Sequence, residues 1–336
     1  MNCGAVSAIK YKKVVDKTEY MIYNGFENYI KRLWRCFNVS KYKNRKEIIM
    51  ANYVLLTDSS ADLREEITSA LDISVLSLEV LMDDGVARLN KDVDVKEFYE
   101  KLREKKKVTT SAVSIERFTE VMEGYLAEGK DVLYLGFSSG LSGTYNAAFV
   151  AANELSEKYP DRKVYTVDTL CASIGQGLLV YLCGKKRQDG ASIDEVRDYA
   201  EQTKLNVCHW FTVDDLFFLK RGGRVNAATA VMGTMLSIKP VMHVDNKGKL
   251  INVEKARGRK ASIDTLIAKM KATAIEPEKQ TCFICHGDCI EDAEYAAARM
   301  KNELGVPEVI IDYTGPVIGA HAGPGVLAIF YIGTER

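Results

Sequence analysis

The 336-residue sequence is short of most features that would name a function at once. Its 46 Lys and Arg balance 46 Asp and Glu, so no overall basic field points to nucleic acid. No apolar run approaches the roughly 18 residues that a membrane span requires, so stable insertion in a membrane is not expected. No secretory signal is recognisable. The eight cysteines, at positions 3, 36, 171, 183, 208, 282, 285 and 289, are scattered through a chain large enough to fold without staples. The expectation is a cytoplasmic protein with reduced thiols. Three sequence signatures are missing as well. No lysine follows Gly143 as a P-loop would need, and Gly140-Leu141-Ser142-Gly143-Thr144 lacks the second glycine of a nucleophile elbow. The dinucleotide fingerprint is absent too, since Gly323-Pro324-Gly325 leads into a strand pattern rather than a helix.

What remains is ordinary globular composition, 47% hydrophobic and 27% charged, at a length that suits about two domains. Residues 1–49 stand apart, with eleven Lys and Arg against four Asp and Glu and with aromatics interleaved among them. They read either as a basic amphipathic segment for a surface or partner, or as an extension outside the fold. Lys46-Glu47 can be encoded AAG-GAG, a bacterial ribosome-binding sequence, and Met50 follows two codons later, immediately before the first strand. This spacing favours the second reading, with translation starting at Met50.

From Tyr53 strands and helices alternate. Strands are expected at 53–56, 73–81, 131–136 and 164–168, and helices at 62–71, 95–104, 115–128, 146–158, 178–184 and 193–204. Ser114 is an expected N-cap, and Ser192 with Glu195 forms a capping box. Alternation argues for a parallel sheet, whose ligands bind at the carboxyl ends of the strands. Three of those exits carry hydroxyls, which groups Ser59, Ser142 and Ser173 in one expected neighbourhood. After 204 the texture changes. Residues 241–244 and 249–255 pair across Asn246-Lys247-Gly248 as a hairpin, which suits an antiparallel sheet. The fold class expected is therefore α/β in two domains. Residues 50–207 form a parallel sheet flanked by helices, and residues 208–336 a mainly antiparallel sheet with helices.

The most distinctive stretch is Ser138-Ser139-Gly140-Leu141-Ser142-Gly143-Thr144-Tyr145, a strand exit that restarts as a helix. Glycines let backbone approach a ligand, and the first N–H groups of a helix lack intrahelical partners, so an anion is the natural guest. Arg221 and Arg224, in Arg221-Gly222-Gly223-Arg224, either clamp an anion or cap a helix end. His321, enclosed by Gly319, Gly323, Pro324 and Gly325, reads as a loop histidine that can bond a carboxylate or phosphate, or else a turn residue facing water. Cys282-Phe283-Ile284-Cys285-His286 matches a haem-attachment spacing, and Cys289 adds a ligand type, but a strand sends Cys282 and Cys285 to opposite faces. No metal site is expected there.

Taken in order, Thr57-Asp58-Ser59-Ser60-Ala61-Asp62-Leu63, Thr110-Ser111, the serine loop through Asn146, Val167-Asp168-Thr169, Lys220-Arg221-Gly222-Gly223-Arg224, Ile238-Lys239-Pro240 and Gly319-Ala320-His321-Ala322-Gly323-Pro324-Gly325 resemble the DegV family. The resemblance runs from Tyr53 to the C-terminus. It implies a cytoplasmic, non-enzymatic protein that binds a long-chain fatty acid such as palmitate and presents it to a separate fatty acid kinase, with no cofactor. By motif position Thr110, Ser142 and the Gly143 N–H would hold the carboxylate, His321 would complete the network, and Arg224 would support it. Ser59 belongs to the same expected group, Arg257 would dock the kinase, and residues 208–336, including 232–238, would form much of the acyl-chain pocket. Two departures are visible: Ala112-Val113 replaces a Gln-Pro pair after Thr110-Ser111, and Thr169 replaces a serine. Burial of about 15 methylenes offers on the order of 12 kcal/mol before association costs of about 4–15 kcal/mol, so the tail would set affinity and the hydroxyl loop would select the head. The alternative is a phosphoryl- or acyl-transfer enzyme with Ser142 as nucleophile and His321 as base. A third reading, a redox or metal module, would rest on Cys282 to Cys289.

Overall fold

A computed structural model describes residues 52–225 and 237–336. The expectations for residues 1–49, for Met50 and for most of 232–238 fall outside those residues. Along the first half run β1 (Tyr53–Asp58), α1 (Glu65–Ala70), β2 (Ile73–Leu76), β3 (Glu79–Leu81), β4 (Ala87–Leu89), α2 (Val95–Arg103) and β5 (Thr109–Ser111). Then come α3 (Ile115–Ala127), β6 (Asp131–Gly136), α4 (Thr144–Lys158), β7 (Val164–Asp168), α5 (Ile174–Gln188) and α6 (Ile193–Thr203). The second half holds β8 (Val207–Thr212), α7 (Phe217–Arg221), β9 (Ile238–Val244), β10 (Leu250–Arg257), α8 (Arg259–Thr273) and β11 (Thr281–His286). It closes with α9 (Ile290–Leu304), β12 (Glu308–Tyr313), α10 (Pro316–Ala322) and β13 (Leu327–Ile332).

The architecture is mixed α/β. One sheet, in the order β2-β1-β6-β7, is wholly parallel. A second, β10-β9-β8-β13-β11-β12, is antiparallel except for the β11–β12 pair. A small antiparallel sheet, β4-β3-β5, sets Thr110 opposite Val80.

Period-two alternation explains how the layers form. On β1 and β6 of the parallel sheet, Tyr53, Leu55, Leu133 and Leu135 face α5, while Val54, Leu56, Val132 and Tyr134 face the side covered by α3 and α4. The second sheet divides likewise: Cys208, Trp210, Ile284 and Ile329 pack with α8 and α9, whereas Phe211, Phe283, Ala328 and Phe330 join the cluster that contains α5. Helix α5 therefore lies between two sheets, and its residues 174–180 are all buried. Cys282 and Cys285 fall in different clusters, as strand alternation requires.

The caps at Ser114 and Ser192 form, the latter as a full capping box with Glu195. The 241–255 hairpin pairs Leu250 with Val244. Three elements differ from the sequence reading. The expected helix 62–71 begins only at Glu65, because Ser59–Ala61 makes a 3-10 turn and Asp62 turns inward with φ 50°. The expected strand 73–81 breaks into β2 and β3. The Leu78 N–H is captured by Ser59 Oγ at 2.9 Å and its carbonyl by the Asn90 N–H at 2.8 Å, so neither joins a ladder there. Finally, α5 starts at Ile174 rather than 178, directly after Ser173 at φ 52°.

The Asp58 carboxylate ties the strand exits together. Its Oδ2 accepts from the Tyr134 hydroxyl (2.6 Å), the Phe137 N–H (3.1 Å) and Gln176 Nε2 (3.1 Å), and its Oδ1 accepts from the Ser60 N–H (2.9 Å). Asp58 is fully buried, so removing the carboxylate strands the Tyr134 hydroxyl and the Phe137 and Ser60 N–H groups without access to water, while Gln176 Nε2 keeps Thr57 Oγ1 and the Leu135 carbonyl. Asp58→Ala is expected to lower unfolding free energy by at least about 3 kcal/mol in urea titrations. A loss under 1 kcal/mol would mean that these bonds do not hold the exits.

Candidate ligand-binding site

The strand exits and the inner face of the second sheet enclose a cavity of about 190 Å³. A water needs only some 10–15 Å³ on this measure, so the space suits an organic guest. Its apolar walls come from alternating residues on neighbouring strands. Phe330 lies opposite His209, Ala328 opposite both Phe211 and Cys285, and Leu250 opposite Val244.

One end of the cavity gathers polar groups from four segments. The serine loop closes as a single turn, with Leu141 and Ser142 N–H groups donating to the Ser138 carbonyl. Ser138 itself is fully buried, its hydroxyl donating to the Gly248 carbonyl at 2.8 Å, and it does not line the cavity. Ser142 Oγ accepts from the Thr144 N–H at 3.2 Å and pairs with Thr144 Oγ1 at 3.0 Å. Gly143 is the N-cap of α4, and a Cβ there would meet no atom within 4 Å. Among the described residues no acceptor pairs with its N–H.

Thr110, on β5, bonds His321 Nε2 through Oγ1 at 2.8 Å. His321 lies in the last turn of α10, not in a loop as the surrounding glycines suggested. Pro316 at the helix start and Gly323 just past its end account for the misreading, since both bound a short helix as readily as they shape a loop. Burial, then the charges of Arg224 and Arg221, lowers the His321 pKa to about 4, so the ring is neutral at neutral pH. Its Nδ1 is buried with no hydrogen-bond partner, and a Cβ on Gly222 would come within 2.3 Å of that atom. Arg224 donates from Nε to the Leu141 carbonyl at 3.2 Å and from Nη1 to the Gly222 carbonyl. It has no acidic partner among the described residues, and burial lowers its pKa. Thr110, Ser142, Gly143, Arg224 and His321 thus line one cavity.

Ser59 does not reach it. Its hydroxyl is held by the Leu78 N–H, and the adjacent Ser60 lines the cavity in its place. Arg257 ends β10 as an exposed residue, also away from the cavity lining. His209 lies on β8. It lines the cavity, yet both ring nitrogens are engaged: Nδ1 lies 2.8 Å from the Val207 carbonyl and Nε2 accepts from the Ala172 N–H at 3.2 Å. Burial, then the Arg336 charge, pushes its pKa well down, which fixes the neutral Nδ1–H form. Sequence reading missed the apolar wall residues Phe211, Ala328 and Phe330. Their signal was the alternation on β8 and β13, which marks a face without saying what lies against it.

Ser142 and His321 are not hydrogen-bonded to each other, so the nucleophile–base pair that acyl transfer needs is not formed. Among the described residues no group of three or more His, Cys, Asp or Glu is arranged to hold a metal ion, and no helix is long and apolar enough to cross a membrane.

The sequence pattern of the DegV family, described as uncharacterised, matches residues 52–334. The chain belongs to the DegV family. A DegV domain-containing protein of Clostridium perfringens is 45% identical over 289 residues, covering 85% of this chain and 99% of that one. The crystal structure of a DegV lipid-binding protein from Thermotoga maritima superposes with a TM-score of 0.74 at 31% identity, over 84% of this chain and 99% of that one. A DegV family protein from Thermus thermophilus, described by its fatty acid binding, also gives 0.74, at 30% identity over 83% of this chain and 99% of that one. The DegV chain described here shares their α/β architecture, including the parallel sheet and the mainly antiparallel one.

Asp62 lies behind the cavity wall, its Oδ2 2.5 Å from Ser173 Oγ and its Oδ1 buried without a partner. Burial raises its pKa to about 8; the Ser173 hydroxyl opposes the shift, while the charges of Asp312 and Asp58 add to it. In the unfolded chain the carboxyl ionises near 4. Between these values the folded state holds the extra proton, so this group makes stability fall as pH rises from about 4 to about 8, by at most roughly 1.4 kcal/mol per pH unit. Asp62→Asn is expected to gain stability relative to the parent between pH 5 and pH 8 in urea titrations. Parallel pH profiles would show that the carboxyl ionises normally.

Proposed function

We propose that this chain binds a long-chain fatty acid, palmitate being representative, with the tail in the apolar cavity and the carboxylate at its polar end. One observation carries the reading: a partly buried arginine, Arg224, lacks an acidic partner among the described residues and adjoins Thr110, Ser142, Gly143 and His321 on an apolar cavity. A desolvated cation in that position favours an anion, and the apolar wall favours a hydrocarbon. The lipid and fatty acid binding of the Thermotoga and Thermus relatives supports the same guest.

In this reading neutral His321 donates from Nε2 to Thr110 Oγ1, which frees the threonine hydrogen for one carboxylate oxygen. Ser142 Oγ, already accepting from the Thr144 N–H, turns its own hydrogen to the ligand, and the Gly143 N–H adds a donor at the α4 N-terminus. Arg224 offsets the charge. The chain performs no chemistry of its own: it presents the carboxylate to a separate fatty acid kinase in the cytoplasm, and exposed Arg257 is the docking contact. Ser59 has no part in the site. The boundary near residue 207 separates two domains that each contribute cavity wall. The missing Ser142–His321 bond supports this reading over acyl or phosphoryl transfer.

Gently purified protein, extracted with organic solvent and analysed by mass spectrometry, should yield about one fatty acid per chain. A ligand-free protein that hydrolyses acyl esters would overturn the carrier reading. Ser142→Ala should weaken palmitate binding about tenfold or more in a protein that still folds cooperatively, and unchanged affinity would remove Ser142 from the site. Arg257→Ala should keep palmitate affinity while slowing acyl-phosphate formation by an added fatty acid kinase and ATP. An unaltered rate would exclude Arg257 from docking.

A further inference from the structure

The carboxylate reading leaves a second set of polar groups on the same cavity unused. Ser60 and Thr314 are fully buried, both line the cavity, and neither Ser60 Oγ nor Thr314 Oγ1 has a hydrogen-bond partner. Beside Thr314 lies the Cys285 thiol, whose Sγ is 3.3 Å from Ser173 Oγ, and both of those residues also line the cavity. Ser173 is held at φ 52°, a left-handed backbone that a serine adopts at some cost, and its hydroxyl is braced by Asp62. These groups come from the β1 exit, the start of α5, β11 and the β12–α10 link, so no local turn or cap accounts for them.

Their position is set by α10. Thr314 lies two residues before that helix and His321 in its last turn, and the helical steps from Pro316 to His321 alone rise roughly 7.5 Å. A ligand held by its carboxylate near His321 would pass Thr314 in mid-chain. A plain methylene there would leave two buried hydroxyls unpaired, whereas a hydroxyl, which both donates and accepts, would satisfy them.

We propose that Ser60, Thr314, Ser173 and Cys285 form a polar subsite that selects an acyl chain carrying a mid-chain hydroxyl group. The proposal rests on the fatty acid reading above and adds a substrate class to it. A site built to bond a hydroxyl discriminates against the analogue that lacks it, because its own polar groups are then stranded.

The test uses delipidated full-length protein and octadecanoic acid alongside its monohydroxy isomers, with the hydroxyl moved stepwise along the chain. One mid-chain isomer should bind about fivefold or more tighter than octadecanoic acid. Thr314→Val and Ser60→Ala should each reduce that preference and together abolish it, with octadecanoic acid affinity unchanged. Neither should lower the melting temperature, since each removes an unpaired buried hydroxyl. If octadecanoic acid binds and Ser142→Ala weakens it, but no isomer gains, the subsite is refuted and the fatty acid reading stands. A preference that survives both substitutions refutes the subsite as well, by assigning the selectivity elsewhere. If octadecanoic acid does not bind, or binds independently of Ser142, the carboxylate reading fails and the subsite falls with it.

Discussion

The buried carboxylate of Asp58 is the constraint from which the site follows. A parallel sheet delivers its strand ends to one rim, but strand ends are flexible unless something polar organises them in the absence of water. Asp58 does so by accepting from Ser60 on its own exit, from Tyr134 and Phe137 on the β6 exit, and from Gln176 on α5. Asp168 repeats the device one strand further on, accepting from the Ser139 and Leu170 N–H groups. Acidic side chains at these exits thus serve as architecture, while the groups that face the cavity polar end are hydroxyls, a backbone N–H, a neutral histidine and an arginine. That division keeps negative charge structural and leaves the cavity free to receive more.

The parallel sheet supplies the loops and the second sheet supplies the apolar wall, so the cavity exists only where the two meet. Ser138 fastens that meeting through the Gly248 carbonyl, and Gly140 lies so close that a Cβ would come within 2.6 Å of the Lys247 carbonyl. Helix α5 fills the remaining space between the sheets. The loop glycines and buried serine that first suggested an anion cradle are largely occupied in this joint, and the donors left over are Ser142 and Gly143.

Much of this was legible in the residues, for reasons that separate cleanly. Local signals held: the Ser192–Glu195 box, the Ser114 cap, the Asn246-Lys247-Gly248 hairpin and the alternation on β1 and β6 all express interactions within a few residues of chain. The misreadings share the opposite origin. Ser59 is held by Leu78, 19 positions away, and Asp62 is turned inward by Ser173, 111 positions away. Propensity carries no trace of such partners, so the strand break at 77–78 and the late start of α1 were invisible. His321 shows a third kind of limit, since proline and glycine around a seven-residue segment bound a short helix as well as they shape a loop.

The alternation of the cavity wall has an evolutionary consequence. His209 and Phe211 on β8, and Ala328 and Phe330 on β13, face the cavity because of their parity, while Trp210 and Ile329 between them belong to the opposite core. Inserting or deleting one residue in either strand would exchange the two faces and ruin both at once. The cavity wall can therefore be reshaped without loss of the core only by replacing side chains at alternate positions. Length changes are confined to the loops at its polar end, so the apolar wall and the polar end of the cavity are altered by different kinds of mutation.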